Sequence, residues 1–355
     1  MTPKVVGLAV SLLTGMFLLA SSLLVRNDDQ QARSLSRAVA EITVVIPGCG
    51  RDILLALDVI KSILLYAKPD LMIVVYLFTE MANQVEARRA VNSLLRSSAF
   101  KDIAMVVNVM EPLFPKVADN QTEAWRNLWK PCAAQRLFLP EVLPSVDSVI
   151  YVDADTVFVR SAGDLWAEFA LMTGNQMIGM AKDHELDFLG HYNKFSKVPY
   201  VPPLGVNSGV MLMNLTRLRA SNATDELLEL YTIYKNQLTL HDQDLLNIHL
   251  NRHPERLYPL SCSWNYRHKH CFNGTNNCPG AEIDGVSLFH GAAGAFEPNS
   301  TKNKNWRIIS HAVREYHPDA SSSRTFKRDL AAALESSNSS IPCPALYAAN
   351  DPWSI

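Results

Sequence analysis

Val149-Ile-Tyr-Val-Asp153-Ala-Asp155 joins an apolar run of strand character to two aspartates one residue apart. Side chains alternate across a strand, so Asp153 and Asp155 are expected to point the same way, about 6.6 Å apart along the chain. Carboxylates at this spacing suit a hard divalent cation, and a cation held by few protein ligands keeps positions free for substrate phosphates. Taken alone, so short a motif recurs by accident, and a strand ending in a solvated acidic turn is its plainer reading. Its surroundings decide.

Upstream, strand and helix patterns alternate. Ile42 to Ile46 is a short β-branched run closed by Pro47-Gly48-Cys49-Gly50, and the periodic segment from Ile53 to Tyr66 predicts a helix. Leu71 to Phe78 reads as a buried strand, about Asn83 to Ser97 as a helix, and Ile103 to Val109 as a third strand. This order predicts an α/β fold with a mostly parallel sheet and helices on both faces. Such sheets bind ligands at the carboxyl ends of their strands, where the Gly48-Cys-Gly50 turn and the aspartates both fall. Further polar groups sit at similar ends. Gly285-Val-Ser-Leu-Phe-His290-Gly291 is another apolar strand that ends in histidine. A lone histidine is more often structural than a ligand, yet imidazole completing a pair of aspartates suits Mn²⁺. Asn207-Ser-Gly209-Val-Met-Leu-Met-Asn214 is a buried strand with amides at both ends, which two turns alone would explain. His241-Asp242-Gln243-Asp244-Leu-Leu-Asn247 opens a predicted helix, where capping accounts for one aspartate but not for all three polar residues.

Composition sets the class and the compartment. The chain has 355 residues, 48% hydrophobic and 19% charged, enough for a full core in one large domain or two small ones. Net charge is -2 and no block of Lys and Arg stands out, so a nucleic-acid partner has no electrostatic footprint. Val5 to Val25 carries no charge and is long enough to cross a hydrocarbon layer, with Lys4 before it and Arg26-Asn-Asp-Asp29 after it. It reads as a single-pass type II anchor behind a tail of residues 1–4. A cleaved signal peptide is the rival, but the apolar run exceeds the usual h-region. Asn-x-Ser/Thr acceptors at Asn120, Asn222, Asn273, Asn299 and Asn338 agree with a lumenal body, while Asn214 ends an apolar run and is doubtful. The six cysteines show no paired zinc spacing, so disulfides are expected, and Cys271 with Cys278 flank a turn that a local bridge would suit. Residues 26–40 read as a stem, 41–335 as one undivided body, and 336–355 as a loosely ordered tail rich in Ser, Asn and Pro.

Taken in order, Tyr151-Val-Asp-Ala-Asp155, Asn207-Ser-Gly-Val-Met-Leu-Met-Asn214, Asp242-Gln-Asp-Leu-Leu-Asn247 and His290-Gly291 resemble glycosyltransferase family 8, whose members are retaining enzymes. Pro131-Cys-Ala-Ala-Gln-Arg-Leu-Phe-Leu-Pro140, Trp264-Asn-Tyr-Arg267 with Cys262 and Cys271, and the amino-terminal span resemble more narrowly the glucoside xylosyltransferases. The resemblance covers about Ile42 to Trp306 and implies a GT-A, Rossmann-like fold. It implies transfer of xylose from UDP-xylose in α-1,3 linkage to glucose O-linked on EGF-like repeats, with Mn²⁺ or Mg²⁺, in the Golgi or the endoplasmic reticulum. On matching positions, Asp153, Asp155 and His290 would hold the ion, and Val45, Cys49 and Gly50 would form the uridine pocket. Arg136, Ala154 and Gly291 would line the donor side, Asp183 and Asn207 would touch the transferred sugar, and Asp242 and Gln243 would lie beneath the anomeric carbon. Gln243 is a poor nucleophile, so same-face attack is expected, with its amide oxygen steadying positive charge. A lysine that follows the histidine-glycine in many members is missing here, where Phe296-Glu297 stand instead; Lys302, Lys304 and Trp306 could replace it only through a longer loop. A family 8 glucosyl- or galactosyltransferase and a catalytically silent lumenal sugar-binding protein remain the alternatives.

Overall fold

The structure, a computed structural model, describes residues 40–114, Trp125, and residues 132–302, 304–317 and 322–336. The anchor at 5–25, the stem up to residue 39, Asn120, Asn338 and Cys343 lie outside the described residues. Among the described residues no helix is long and apolar enough to cross a membrane.

The β-branched run that opens the body forms β1 (Ala40–Pro47), and α1 (Ile53–Leu65), β2 (Leu71–Phe78), α2 (Met81–Leu95) and β3 (Ala104–Met110) follow in the expected order. Stiff Val and Ile side chains suit the pleated surface, and here they are buried on both faces, as parallel strands require. After them come β4 (Ser148–Val152), β5 (Thr156–Phe158), β6 (Ile178–Lys182), β7 (Val206–Asn214), α3 (Ala223–Tyr234), α4 (Asp242–Arg252) and β8 (Leu257–Pro259). Last are β9 (Tyr266–Arg267), the hairpin β10 (Cys271–Phe272) and β11 (Thr275–Asn276), β12 (Leu288–His290) and α5 (Lys304–Glu315).

The main sheet has seven strands in the order β3-β2-β1-β4-β7-β6-β8. Every neighbouring pair is parallel except those made by β7, which runs against both β4 and β6. Alternate residues of each strand enter opposite cores. Ile42, Val44, Ile46, Ile150 and Val152 pack with α1, α2 and α5, whereas Val45, Val149, Tyr151, Met211 and Met213 pack with α3 and α4. The mostly parallel α/β sheet covered on both faces is therefore as the sequence predicts.

One expected strand lies elsewhere. β12, which carries His290, joins a separate sheet of order β5-β12-β9. β5 leaves the main sheet directly after Asp155, so Asp153-Ala154-Asp155 is the link between the two sheets. The local Cys271–Cys278 bridge is not formed. Cys278 pairs with Cys262, at a Cα separation of 5.8 Å, and Cys49 pairs with Cys132. The hairpin sets Cys271 opposite Asn276, which carries Cys278 past the ladder and back toward the segment from Cys262 to Asn265. Cys271 is itself disulfide-bonded. Of the acceptor asparagines, Asn222, Asn273 and Asn299 are exposed. Asn214 instead caps a helix, its Oδ1 accepting from the Arg217 amide at 2.8 Å.

Candidate active site

Strand alternation does not bring the two aspartates together. β4 ends at Val152, the Asp153 amide donates to the Gly209 carbonyl at 2.8 Å, and the Thr156 hydroxyl donates to the Asp153 carbonyl at 2.9 Å. The chain thus turns tightly through the buried Ala154. Antiparallel pairing of β5 and β12 then sets His290 opposite Thr156, and the Gly291 amide donates to the Asp155 carbonyl at 2.6 Å. His290 Nε2 lies 3.5 Å from Asp155 Oδ1 and 3.8 Å from Asp153 Oδ2, and ligand atoms of all three residues fall within 4.8 Å of one another. Two hard carboxylate oxygens and an imidazole nitrogen at this spacing fit Mn²⁺ or Mg²⁺, with manganese the better match to the nitrogen. Gly209 is required here, because any Cβ would strike the His290 ring.

Arg136 is the organising cation. It is buried, its Nη2 donates to Asp153 Oδ1 at 2.8 Å, its Nε lies 2.9 Å from Asp242 Oδ2, and its Nη1 donates to the Ser208 carbonyl and hydroxyl at 2.7 Å each. The Tyr151 hydroxyl donates to the same Asp153 oxygen at 3.0 Å, and the guanidinium stacks 4.6 Å from the Tyr151 ring centre. One Asp153 oxygen is therefore held by the protein and the other faces His290. Burial, and then the Asp153 charge, keep the Asp242 carboxyl above its ordinary range in spite of Arg136.

At the start of α4, three neighbouring polar residues take three different jobs. Asp244 Oδ2 accepts from the Thr239 and Leu240 amides at 2.6 and 2.7 Å, so it is the structural member. Asn247 clamps both backbone groups of Val206 at 2.9 Å. Gln243 Oε1 accepts from Asn207 Nδ2 and the Ser208 amide at 3.0 Å each and from the Ser208 hydroxyl at 3.3 Å. Three donors thus converge on this oxygen, which holds Asn207 and Ser208 in place. Asn207 Oδ1 accepts from Asn265 Nδ2 at 2.9 Å and the Gly209 amide at 3.1 Å, and Asn265 Oδ1 lies 2.8 Å from His290 Nδ1.

Asp183 directly follows β6 in the loop toward β7. Burial alone would raise its pKa, but the Arg267 guanidinium at 3.1 Å and the His191 amide at 3.0 Å outweigh it and hold the carboxyl below its ordinary range. Near it, burial keeps His184 neutral down to about 4, His268 to about 3, and His270 well below its usual value. His249 in α4 behaves likewise, down to about 4. Unfolded, each would take up its proton near 6.5. Between that pH and about 4 the unfolded chain binds protons that the fold refuses, so stability is full above 6.5 and falls as pH drops. The unfolding free energy from urea titrations should decline between about pH 6.5 and pH 5 by on the order of 1 kcal/mol per buried histidine per pH unit. A flat profile would remove this account.

The first loop is tied down from two sides. Val45 is fully buried in the core beneath Tyr151, so only its backbone could approach a ligand, and the Cys49 sulfur is committed to Cys132. Gly50 takes a positive φ of 60° and its amide donates to both oxygens of Glu80, at 2.9 and 3.0 Å. Glu80 follows β2 by two residues, and a carboxylate just past a buried strand was the signal that sequence reading passed over. Asn265, Tyr151 and Ser208 also join the site unannounced, since an amide or hydroxyl carries no pattern of its own, and Arg267 joins it only through its long-range pair with Asp183.

Phe296 is core, packed on Gly291 and 5% exposed. Trp306 Nε1 donates to the His290 carbonyl at 3.0 Å, so it supports the strand end and does not grip a phosphate. The half-buried Lys302 is near enough to act electrostatically on both His268 and Lys269.

A second cluster, Glu226, His249 and His253, also meets metal-like spacing. Arg256 Nη1 lies 3.3 Å from His249 Nε2 and 3.7 Å from Glu226, and Arg252 lies 3.8 Å from Glu226. A guanidinium only donates, so Nε2 accepts and the proton sits on Nδ1, beside Glu226 Oε2 at 2.9 Å. The cluster ties α3 to the end of α4, with two guanidiniums already beside the Glu226 carboxylate.

Comparison with known proteins agrees with this architecture. The profile of Glycosyl transferase family 8 matches residues 48–286. Mouse glucoside xylosyltransferase 2 is 37% identical over 299 residues, which take in 81% of this chain and 65% of that protein. Mouse glucoside xylosyltransferase 1 is 33% identical over 312 residues, 84% of this chain and 74% of its own length. Among solved structures, apo mouse xyloside xylosyltransferase 1 matches with a TM-score of 0.51 at 22% identity, over 71% of this chain and 98% of that one, which speaks to the fold alone. The two-sheet architecture, the ordered motifs that converge where β4 passes into β5, and a match over most of the body lead to one conclusion: the chain belongs to glycosyltransferase family 8.

Proposed function

We propose that this protein transfers xylose from UDP-xylose, with retention and in α-1,3 linkage, to glucose O-linked on EGF-like repeats. The observation that carries a nucleotide-sugar transferase is the convergence of Asp153, Asp155 and His290 beside the buried Arg136, Asp242 and Asn207. The xylosyl donor and the glucosyl acceptor are supported by likeness to the glucoside xylosyltransferases. Asp153 Oδ2, Asp155 and His290 Nε2 are the residues to hold Mn²⁺ or Mg²⁺. Bound there, the ion would neutralise charge developing on the departing diphosphate.

The protein's own groups do the rest. Arg136 holds Asp153 in place, so that one oxygen stays turned toward the metal position. Gln243 orients Asn207 and Ser208 through its oxygen, and Asp183, kept ionised by Arg267, is placed to accept from a sugar hydroxyl. Asp244 is spent on a backbone cap and Asp242 is paired with Arg136, so neither is a ready nucleophile, which favours same-face attack over a covalent adduct. Lys302 is the cation offered to the outgoing phosphates in place of the missing family lysine. We also assign the chain to the Golgi or endoplasmic reticulum membrane, with the body lumenal and the apolar segment 5–25 as anchor.

A panel of UDP-xylose, UDP-glucose and UDP-galactose with an O-glucosylated EGF-like repeat, with and without Mn²⁺, is the test. UDP release should require UDP-xylose, acceptor and metal together. Preference for another donor would redirect the assignment within the family, and no donor-dependent release would favour a sugar-binding protein.

A further inference from the structure

We infer that the tautomer of His290 is set by the backbone amides of Ser208 and Gly209, through a one-way chain of side-chain amides that ends on Asn265. The inference rests on the metal reading of His290 and concerns what prepares that residue before any ion arrives.

A backbone N–H can only donate, whereas the oxygen and nitrogen of an Asn or Gln amide can exchange places, so the polarity of such a chain must be worked out from its fixed ends. The Ser208 amide lies 3.0 Å from Gln243 Oε1, which makes that atom the oxygen. The Gly209 amide lies 3.1 Å from Asn207 Oδ1, so that atom is an oxygen too, and Asn207 must present its NH₂ to Gln243, as the 3.0 Å contact requires. An oxygen on Asn207 obliges Asn265 to present its own NH₂ at 2.9 Å. The remaining Asn265 atom, 2.8 Å from His290 Nδ1, is then an acceptor, and His290 Nδ1 carries the proton.

The ring is left with its bare nitrogen, Nε2, facing Asp155 and Asp153. A metal ligand needs a lone pair at that position. Every member is shielded from competing water: Asn265 is 0%, His290 3%, and Asn207 and Gln243 8% exposed. Asn265 is thus a positioning residue. Fully buried, it acts by holding the imidazole in the ligating tautomer. Partners of this kind are typically worth about 10- to 100-fold in metal affinity.

The first test is nitrogen-15 NMR of histidine in the metal-free protein on the alkaline side, where the imidazole rings are neutral, with the His290 signals identified by their loss in His290→Gln. Nδ1 should be protonated and Nε2 bare. The second is Mn²⁺ titration of the stripped protein, followed by electron paramagnetic resonance. Asn265→Leu should weaken binding about 10- to 100-fold and mix the tautomers. Asn265→Asp keeps an acceptor for Nδ1–H but loses the donor to Asn207 Oδ1, so it should keep the tautomer and recover only part of the affinity. A reversed tautomer in the unsubstituted protein, or unchanged Mn²⁺ affinity in a folded Asn265→Leu variant, overturns the inference. Failure of the unsubstituted protein to bind Mn²⁺ overturns the metal reading itself, and the tautomer measurement, which needs neither a variant nor an ion, tells the two failures apart.

Discussion

Asp155→Ala should lower sugar transfer by roughly 10³-fold or more while changing stability by less than about 1 kcal/mol. The Asp155 backbone carbonyl accepts from the Gly291 amide, and that bond survives loss of the carboxylate. Its side chain is about a quarter exposed and sits beside Asp153, so the substitution also relieves a like-charge contact. What it removes is one of two hard oxygens facing His290. A bound divalent ion contributes several kcal/mol to stabilising departing phosphate charge, and each 1.36 kcal/mol is tenfold in rate. Mn²⁺ titration and initial rates would be read on one preparation whose melting temperature matches that of the unsubstituted protein. Near-normal rates with added Mn²⁺ would sink the assignment of Asp155 as a ligand.

The largest effect on stability is expected at Arg136. Arg136→Met keeps most of the volume yet strips the guanidinium from Asp242, which is buried, and from Asp153. Removing one partner of a buried ion pair leaves an uncompensated charge and costs about 3–5 kcal/mol. For a body of this size that corresponds to a fall of roughly 10 °C in melting temperature. Adding Asp242→Asn should recover part of the loss, because the second change removes the stranded charge, and a double-mutant cycle by urea unfolding would isolate that coupling. Arg136→Lys should not rescue fully, since a single ammonium cannot meet Asp153, Asp242 and Ser208 at once. A loss below about 1 kcal/mol in Arg136→Met would mean that water, and not the guanidinium, compensates these carboxylates.

Local pattern carries far for the helices and strands because hydrophobic periodicity is a short-range property. The run Leu71–Phe78 matches β2 residue for residue, and the β-branched Ile42–Ile46 lies inside β1. It carries less far for pairings. Cys271 and Cys278 are close in sequence and flank a turn, yet the two-residue ladder of the hairpin sends Cys278 to Cys262. Roles diverge in the same way within one turn of helix. Asp242, Gln243 and Asp244 are adjacent, but their side chains leave α4 about 100° apart, so one meets Arg136, one meets Asn207 and one caps the helix from behind.

By itself the sequence determined an α/β body, a strand end that delivers two aspartates, and the order of motifs that marks the family. Tertiary structure decided how those aspartates become a site. Alternation along a strand would have set them side by side with nothing between. Instead the chain turns at Ala154, leaves the main sheet, and pairs β5 with a strand that begins some 130 residues later, which brings His290 up to Asp155. That pairing is long-range, and so is the chain of amides from Ser208 to Asn265 that orients the imidazole. Neither leaves a periodic trace in the sequence, because a hydrogen bond between two amides depends on where the backbones end up and not on which residues stand beside them in the chain.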